Sequence, residues 1–496
     1  MAYGRPGVYV TERLLPAPIT VAGAANAAGA AVGQFGQGPE AVTLVTSWYD
    51  FVQKFGGYNT TYPATFGVGQ FFKNGGTELY VRRVLGDGAA AASVAIPGTS
   101  GTIGTMTAKN KGTDGNKLRF QFSAAATSGY YNLVIYKEVG TDATSTTDDV
   151  ILEQFLNVVV SDTASSDYLV TVLAQESSYV SATLSTNSTA PGVALTPLTS
   201  GSNGVAATDT EFIAALSSFN NIDRSLVIFA PEVIKDLGAT DGGLVQESLV
   251  DWAESNDGFA ILDTAADLTV SAAVTYAAGR GASSNAAIYY PNLYVADPLG
   301  RNASSLRKVG PAGAMAGLFL STDRQFGPFK APAGIRQAIS GAVSTERQFT
   351  SAELDALNSA AFPLNAIRNV PGAGVVPMGA RTLKQDNTPN RYVNSRRSLL
   401  YIKRQLETLT EFALFENNSE QLWARIRTSL GVFLNEYRNQ GGLRGTTEAE
   451  AFFVKCDAEN NTAANIAAGE VHIEVGVALE YPAEFVVITL SQKTSN

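Results

Sequence analysis

His472 is the only histidine in this 496-residue chain, so any Ser-His-Asp relay has to pass through it. It stands in "EVHIEVGVALE", where Val471, Ile473, Val475 and Val477 alternate with Glu470, His472 and Glu474. A period of two puts the imidazole on the polar face of a strand, beside two carboxylates. No GxSxG elbow accompanies it, and one His among carboxylates is a thin ligand set for a metal. The adjacent acids Asp148 and Asp149 and the pair Glu448/Glu450 have the residue type for general acid–base work, but neither pair sits in a recognisable cleft motif. The glycines of "GTSGTIG" (Gly98–Gly104) match neither phosphate-loop spacing, GxxxxGK(S/T) or GxGxxG. Cys456 stands alone, which excludes an intrachain disulfide and any Cys-rich metal site, and it reads as a core residue. No catalytic, cofactor-binding or metal-ligating residue is expected, and no cofactor.

Composition narrows the partners. Hydrophobic residues make up 45% of the chain and charged ones only 16%, enough apolar material for large cores in about three domains. The net charge of −10 argues against general nucleic-acid binding. No run of apolar residues is long enough to span a membrane, and the N-terminal stretch lacks the pattern of an export signal. The chain therefore reads as cytoplasmic when made.

Residues 1–20 read as an extended arm. Pro6, Pro16 and Pro18 discourage helix, and in "PGVYVTE" Val8 and Val10 alternate with Tyr9 and Thr11 as on a strand. Residues 21–95 and 205–380 read as one split α/β domain. Its first part holds a small-residue strand "AAGAAVGQF", a helix "SWYDFVQKFGG" with Trp48, Phe51, Val52 and Phe55 at helical spacing, and a strand "TELYVRRVLG" with Leu79, Val81 and Arg83 on one face. Its second part alternates the helix "FIAALSSF", the strand "RSLVIFAP", the helix "GLVQESLVDWAES" marked by Leu244, Leu249 and Trp252, the strand "GFAILDT", the helix "LTVSAAVTYAAGRG", one strand "NAAIYYPNLYVADP" and the helix "PAGAMAGLFLSTDR". Such alternation means parallel strands with right-handed crossovers. Residues 96–204 between them hold 31 Ser and Thr and five short apparent strands, "KLRFQFSA", "YYNLVIYKEV", "VILEQFLNVVV", "YLVTVLA" and "YVSATLS". They predict an inserted all-β sandwich or barrel. Residues 381–496 predict a last α/β unit. Its helices are "SRRSLLYIKRQLETLTEFALFE", starting near Ser395, and "SEQLWARIRTSLGVFLNEYRNQG", capped by Ser419. Its strands are "AFFVKCDA", "EVHIEVGVALEYP" and a final "AEFVVITLSQ", where Phe485, Val486, Val487, Ile488 and Leu490 are apolar on both faces. Eleven Lys and Arg oppose six Asp and Glu between Arg381 and Arg444, a basic surface in an acidic chain.

Six segments in order resemble the contractile tail sheath family of bacteriophages and related injection systems and bacteriocins. They are "PGVYVTE" (Pro6–Glu12), "YYPNLYVADP" (Tyr289–Pro298), "GPAGAMAGLFLSTDRQFGPFKAPAG" (Gly310–Gly334), "YVNSRRSLLYIKRQL" (Tyr392–Leu406), "FENNSEQLWARI" (Phe415–Ile426) and "AFFVKCDAENNT" (Ala451–Thr462). Asn292 and Phe329 stand where the family often has Trp. The resemblance implies a non-enzymatic structural subunit with a subtilisin-like α/β domain lacking its catalytic triad, a variable outward-facing β insertion, and a tube-facing C-terminal domain. It implies that extended N- and C-terminal arms complete a sheet in neighbouring subunits, through Pro6, Gly7, Val8, Tyr9, Val10 and Thr11 at one end and Phe485 to Leu490 at the other. The partners it implies are other copies of the chain, a tail tube protein, and baseplate and tail terminator proteins. The place it implies is a virion tail assembled in a bacterial cytoplasm. Arg425 and Arg427 on the second helix are the expected tube contacts. The competing readings are a sheath from an injection system or R-type bacteriocin and, at a distance, an α/β hydrolase.

Overall fold

The structure, a computed structural model, describes residues 27–484 except 140–145, 186–188, 303, 385 and 387. The described chain divides into two units, one comprising residues 402–480 and a larger one comprising residues 27–401 and 481–484.

The larger unit is organised on an eight-stranded sheet. Its order is Gly374–Pro377, Leu364–Val370, Ala286–Tyr290, Phe259–Leu262, Ser225–Phe229, Ala27–Gly33, Leu79–Arg83, Thr43–Val45. The six inner strands are parallel and each edge strand is antiparallel. Parallel strands buried on both faces are apolar throughout, and here successive residues serve two cores. Val227, Phe229 and Ile261 point into one, with Phe71 and Phe319. Leu226, Ile228 and Leu262 point into the other, with Leu249 and Trp252.

Two helices of the first core approach closely because glycines line their contact. Cβ atoms at Gly313 and Gly317 would run into the backbone of Gly67 and Phe71 on the helix Ala64–Lys73. That helix has no sequence expectation behind it. Every residue from Ala64 to Phe71 is buried, so it lacks the polar face that marks an amphipathic helix.

The predicted insertion is two sheets around a core of its own, from Ala92 to Leu198. One sheet orders Thr196–Pro197, Leu118–Ala124, Tyr131–Lys137, Val150–Val158; the other orders Ala91–Gly98, Gly101–Lys111, Val180–Leu184. It is not all β, since "YLVTVLA" forms the helix Leu169–Gln175. Its β-branched residues suggest a strand, but Leu169 and Leu173, one helical turn apart, are the buried pair. Arg83 ties this region to the sheet. Fully buried at the end of its strand, it donates to the carbonyls of Phe35 (2.9 Å), Gly38 (2.8 Å) and Lys111 (2.7 Å).

Other expectations need correction. "NAAIYYPNLYVADP" is two strands, Ala286–Tyr290 in the large sheet and Leu293–Ala296 in a three-stranded one, separated at Pro291, which has no N–H for a ladder. Leu244 is exposed and Val245 takes the inward position. The helix expected from Ser395 starts at Val393 and runs to Thr410.

Two buried acids occupy the carboxyl ends of adjacent strands, where an α/β sheet ordinarily opens a ligand crevice. Glu232 follows Ser225–Phe229 and Asp263 follows Phe259–Leu262. Glu232 Oε1 accepts the Gly310 N–H at 2.6 Å and Asp263 Oδ1 accepts the Ala312 N–H at 2.6 Å. Asp263 therefore caps the helix Ala312–Phe326 at its positive end, and Glu232 holds the turn that leads into it. Burial pushes Glu232 up to about 7, against the partial pull of Gly310, Lys235 and Arg307. Burial, with the charge of Glu232, pushes Asp236 up to about 7 and Asp263 well above the carboxylate range. A carboxyl raised by folding contributes most below its unfolded value and loses that contribution as pH rises through its folded value. The unit carrying this sheet should therefore melt at a higher temperature near about pH 6 than near about pH 8. Glu232→Gln should flatten the dependence. Equal melting temperatures across that range would show that these acids are ionised in the fold.

Candidate subunit interface

The unit Ile402–Glu480 is built on the helix Glu420–Asn439. Ser419 caps it, its Oγ accepting the Leu422 N–H at 3.4 Å, and Leu422, Trp423, Ile426, Leu430 and Leu434 form its buried stripe. Against that stripe lie Cys456 and the apolar face of an antiparallel pair of strands, Phe452–Lys455 and Glu474–Val477, through Val454 and Val475. On the opposite face the half-exposed Phe453 ring lies over Gly476, its register partner, in space that a Cβ at 476 would enter. The polar turn of "CDAENNT" holds the approach to the second strand. Asn461 Oδ1 accepts the His472 N–H at 2.7 Å, and Asn461 Nδ2 donates to the His472 carbonyl at 3.0 Å.

Two strands are a marginal sheet by themselves. Among the described residues this sheet has only two, and both outer edges lack a strand partner; the single bridge between Leu443 and Leu479 lies past the end of the pair. Unpaired backbone groups along such edges are what an incoming strand satisfies. Among the described residues, then, the pair has an apolar face buried by the helix and no further strand on either edge.

The two arms expected to use such edges, Pro6 to Thr11 (Pro6, Gly7, Val8, Tyr9, Val10, Thr11) and Phe485, Val486, Val487, Ile488 and Leu490, lie outside the described residues. His472 is exposed, as its alternation implied, with Nε2 2.8 Å from Glu470; the strand itself begins only at Glu474. Arg425 is exposed and its guanidinium lies 5.0 Å from the Phe412 ring centre. Arg427 is half-buried and donates to the Cys456 carbonyl. Two residues apart on a helix, the two arginines point to different sides. Sequence reading missed a second contact, in the larger unit: Arg381 pairs with Glu484 at 2.6 Å, across 103 residues. Nothing local marks either residue for the other.

Residues 385–493 match the profile of the family described as phage tail sheath C-terminal domain. The tail sheath protein of Vibrio phage KVP40 is 29% identical over 156 residues, 31% of this chain; the match spans only 22% of that relative's length. The fold is similar to that of the anti-feeding prophage helical sheath in its contracted state, with a TM-score of 0.60 at 19% identity, over 99% of this chain and 100% of that one. It is also similar to the sheath tail protein Lin1278 from Listeria innocua, with a TM-score of 0.63 at 14% identity, over 92% of this chain and 96% of that one. Among the described residues no helix is long and apolar enough to cross a membrane.

Proposed function

We infer, from the premise that the chain belongs to the contractile tail sheath family through its C-terminal domain, that it is the repeating subunit of a contractile sheath. Copies stack as a helix of rings around a tail tube, and the polymer shortens to drive the tube through a bacterial envelope. One observation carries this reading: the likeness to a contracted helical sheath runs over 99% of the chain, beyond the C-terminal domain alone. In this reading the α/β domain is a subtilisin-like scaffold put to structural use. The carboxyl ends of its strands support that view, because Glu232 and Asp263 there are committed to the start of a helix and the turn that leads into it. Residues 96–204 are an outward-facing decoration. The arms of residues 1–20 and from Phe485 onward are lent to neighbours and complete their two-stranded sheets. Partners are other copies, the tube, the baseplate and a terminator, in a tail assembled in the bacterial cytoplasm. A phage tail and a free injection particle would use the same subunit chemistry.

Electron microscopy of the purified protein tests the reading. Rings or striated cylinders are expected; monomers under all assembly conditions would refute it.

The tube-facing surface is proposed to be basic, at Arg425 and Arg427. Arg425 carries the proposal further, since Arg427 is already engaged with Cys456. Arg425→Glu should weaken co-sedimentation of sheath with tube, most strongly at low ionic strength, where exposed charges are least screened. If binding and its salt dependence do not change, the helix Glu420–Asn439 does not present its charge to the tube.

A further inference from the structure

The chain leaves the smaller unit after Glu480, and residues 481–484 belong again to the larger one. The described chain ends there at Glu484, next to the residues read as the C-terminal arm. Tyr481 meets Tyr392 edge to face, with ring centres 6.1 Å apart, and beyond it the root is held by a polar contact. Arg381 is 7% exposed and grips the Glu484 carboxylate with two nitrogens, Nε at 2.9 Å from Oε1 and Nη2 at 2.6 Å from Oε2. Two-point contacts of this kind fix direction as well as distance. Past Tyr481 the root borders a cavity of about 360 Å³. Pro482, Ala483 and Glu484 form one wall of it, faced by Leu354, Leu357, Ala366 and Met378. A wall standing off its neighbours gains little dispersion energy from them.

Arg381 is in turn fastened to the sheet. Its N–H donates to Asn365 Oδ1 at 2.7 Å, and its carbonyl accepts from Asn365 Nδ2 at 2.8 Å. The buried Asn365 lies on the strand Leu364–Val370, and its Nδ2 also donates to the Ile288 carbonyl on the next strand at 3.2 Å. Arg381 Nη1 donates to the Asn358 carbonyl at 2.8 Å. Two residues on, the Leu383 N–H donates to the Ala286 carbonyl at 2.9 Å. A continuous path of hydrogen bonds therefore runs from Glu484 through Arg381 and Asn365 into two parallel strands.

We propose that the Arg381–Glu484 pair is the fixture that ties the root of the C-terminal arm to the α/β sheet, so that a pull on the arm is delivered to the sheet of the copy that owns it. This rests on the reading that the arm is lent to a neighbour. If the arm is lent, neighbouring copies are joined sheet to sheet through this pair. Arg381 and Glu484 act as positioning residues: they aim the arm and do not themselves meet the neighbour.

The test uses the full chain and measures the lowest protein concentration at which cylinders form, alongside the melting of the unassembled protein. Glu484→Gln and Arg381→Met should each raise that concentration at least about tenfold while the unassembled chain stays folded, and Glu484→Asp should recover part of the loss. A chain ending at residue 484 serves as the reference. If that truncation raises the concentration and neither substitution does, the arm is lent but not rooted here, and the proposal is overturned. If the truncation itself changes nothing, the underlying reading of the arm fails. Should Arg381→Met fail to fold, Glu484→Gln decides alone, since it leaves the bonds between Arg381 and Asn365 in place.

Discussion

A chain lacking residues 1–12 is expected to fold and to form no cylinders at concentrations where the full chain forms them. The first strand of the eight-stranded sheet begins at Ala27, so the truncation leaves the sheet and both of its cores in place. What it removes is the strand proposed to complete the pair Phe452–Lys455 and Glu474–Val477 in a neighbour. Burying Val8 and Val10 in that neighbour would contribute about 1.5–3 kcal/mol for each side chain, and each main-chain hydrogen bond a further ~0.5–1.5 kcal/mol before the cost of ordering the arm. Every ~1.4 kcal/mol is tenfold in an equilibrium constant, so loss of the two valines alone should raise the assembly concentration at least about a hundredfold. Replacing Val8 and Val10 by Ser in the full chain should move it in the same direction, by less. Normal cylinders from the truncated chain would mean that the open sheet edges are filled by something else.

Arg397→Met is expected to be the most damaging single substitution inside the larger unit. The Arg397 guanidinium meets the Asp323 carboxylate with both terminal nitrogens, Nη1 at 2.8 Å from Oδ1, and lies 4.7 Å from the Phe319 ring centre. Both side chains are almost fully buried, at 6% and 5% exposure. Burial pushes the Asp323 carboxyl up even with the guanidinium beside it, which shows how costly that charge would be alone. Breaking a buried pair by removing one partner typically costs about 3–5 kcal/mol, because the other charge stays behind. Arg397→Met should lower the unfolding free energy in denaturant by about that much, whereas Arg397→Met with Asp323→Leu should recover most of it. A loss below about 1 kcal/mol in the single variant would mean that neither the ion pair nor the stacking on Phe319 carries appreciable stability.

Much of the fold was legible because burial repeats with the period of the element. Ser419 before Glu420–Asn439 is a cap in fact as well as in pattern. The alternation Leu79, Val81, Arg83 correctly gave one buried face. Where the pattern failed, burial had lost its period. The helix Ala64–Lys73 is covered on all sides as far as Phe71, and in the helix Leu169–Gln175 a run of β-branched residues concealed a single buried stripe. In the smaller unit, sequence could name the helix capped by Ser419 and the strands around Val454 and Val475, because periodicity is local. It could not name Arg381 or Glu484.

The sequence by itself determined the alternation of helix and strand from Phe212 to Phe326 and the parallel pairing it implies, since that periodicity is written in residues a few positions apart. Tertiary structure alone decided which charged groups are inside. Arg83 is buried because carbonyls from Phe35, Gly38 and Lys111 converge on it, Glu232 and Asp263 because a helix start arrives from Gly310 and Ala312, and Arg381 because Glu484 returns to it. An ionisable side chain can leave water only when partners repay its hydration, and these partners come from segments tens of residues away that only the folded chain brings together.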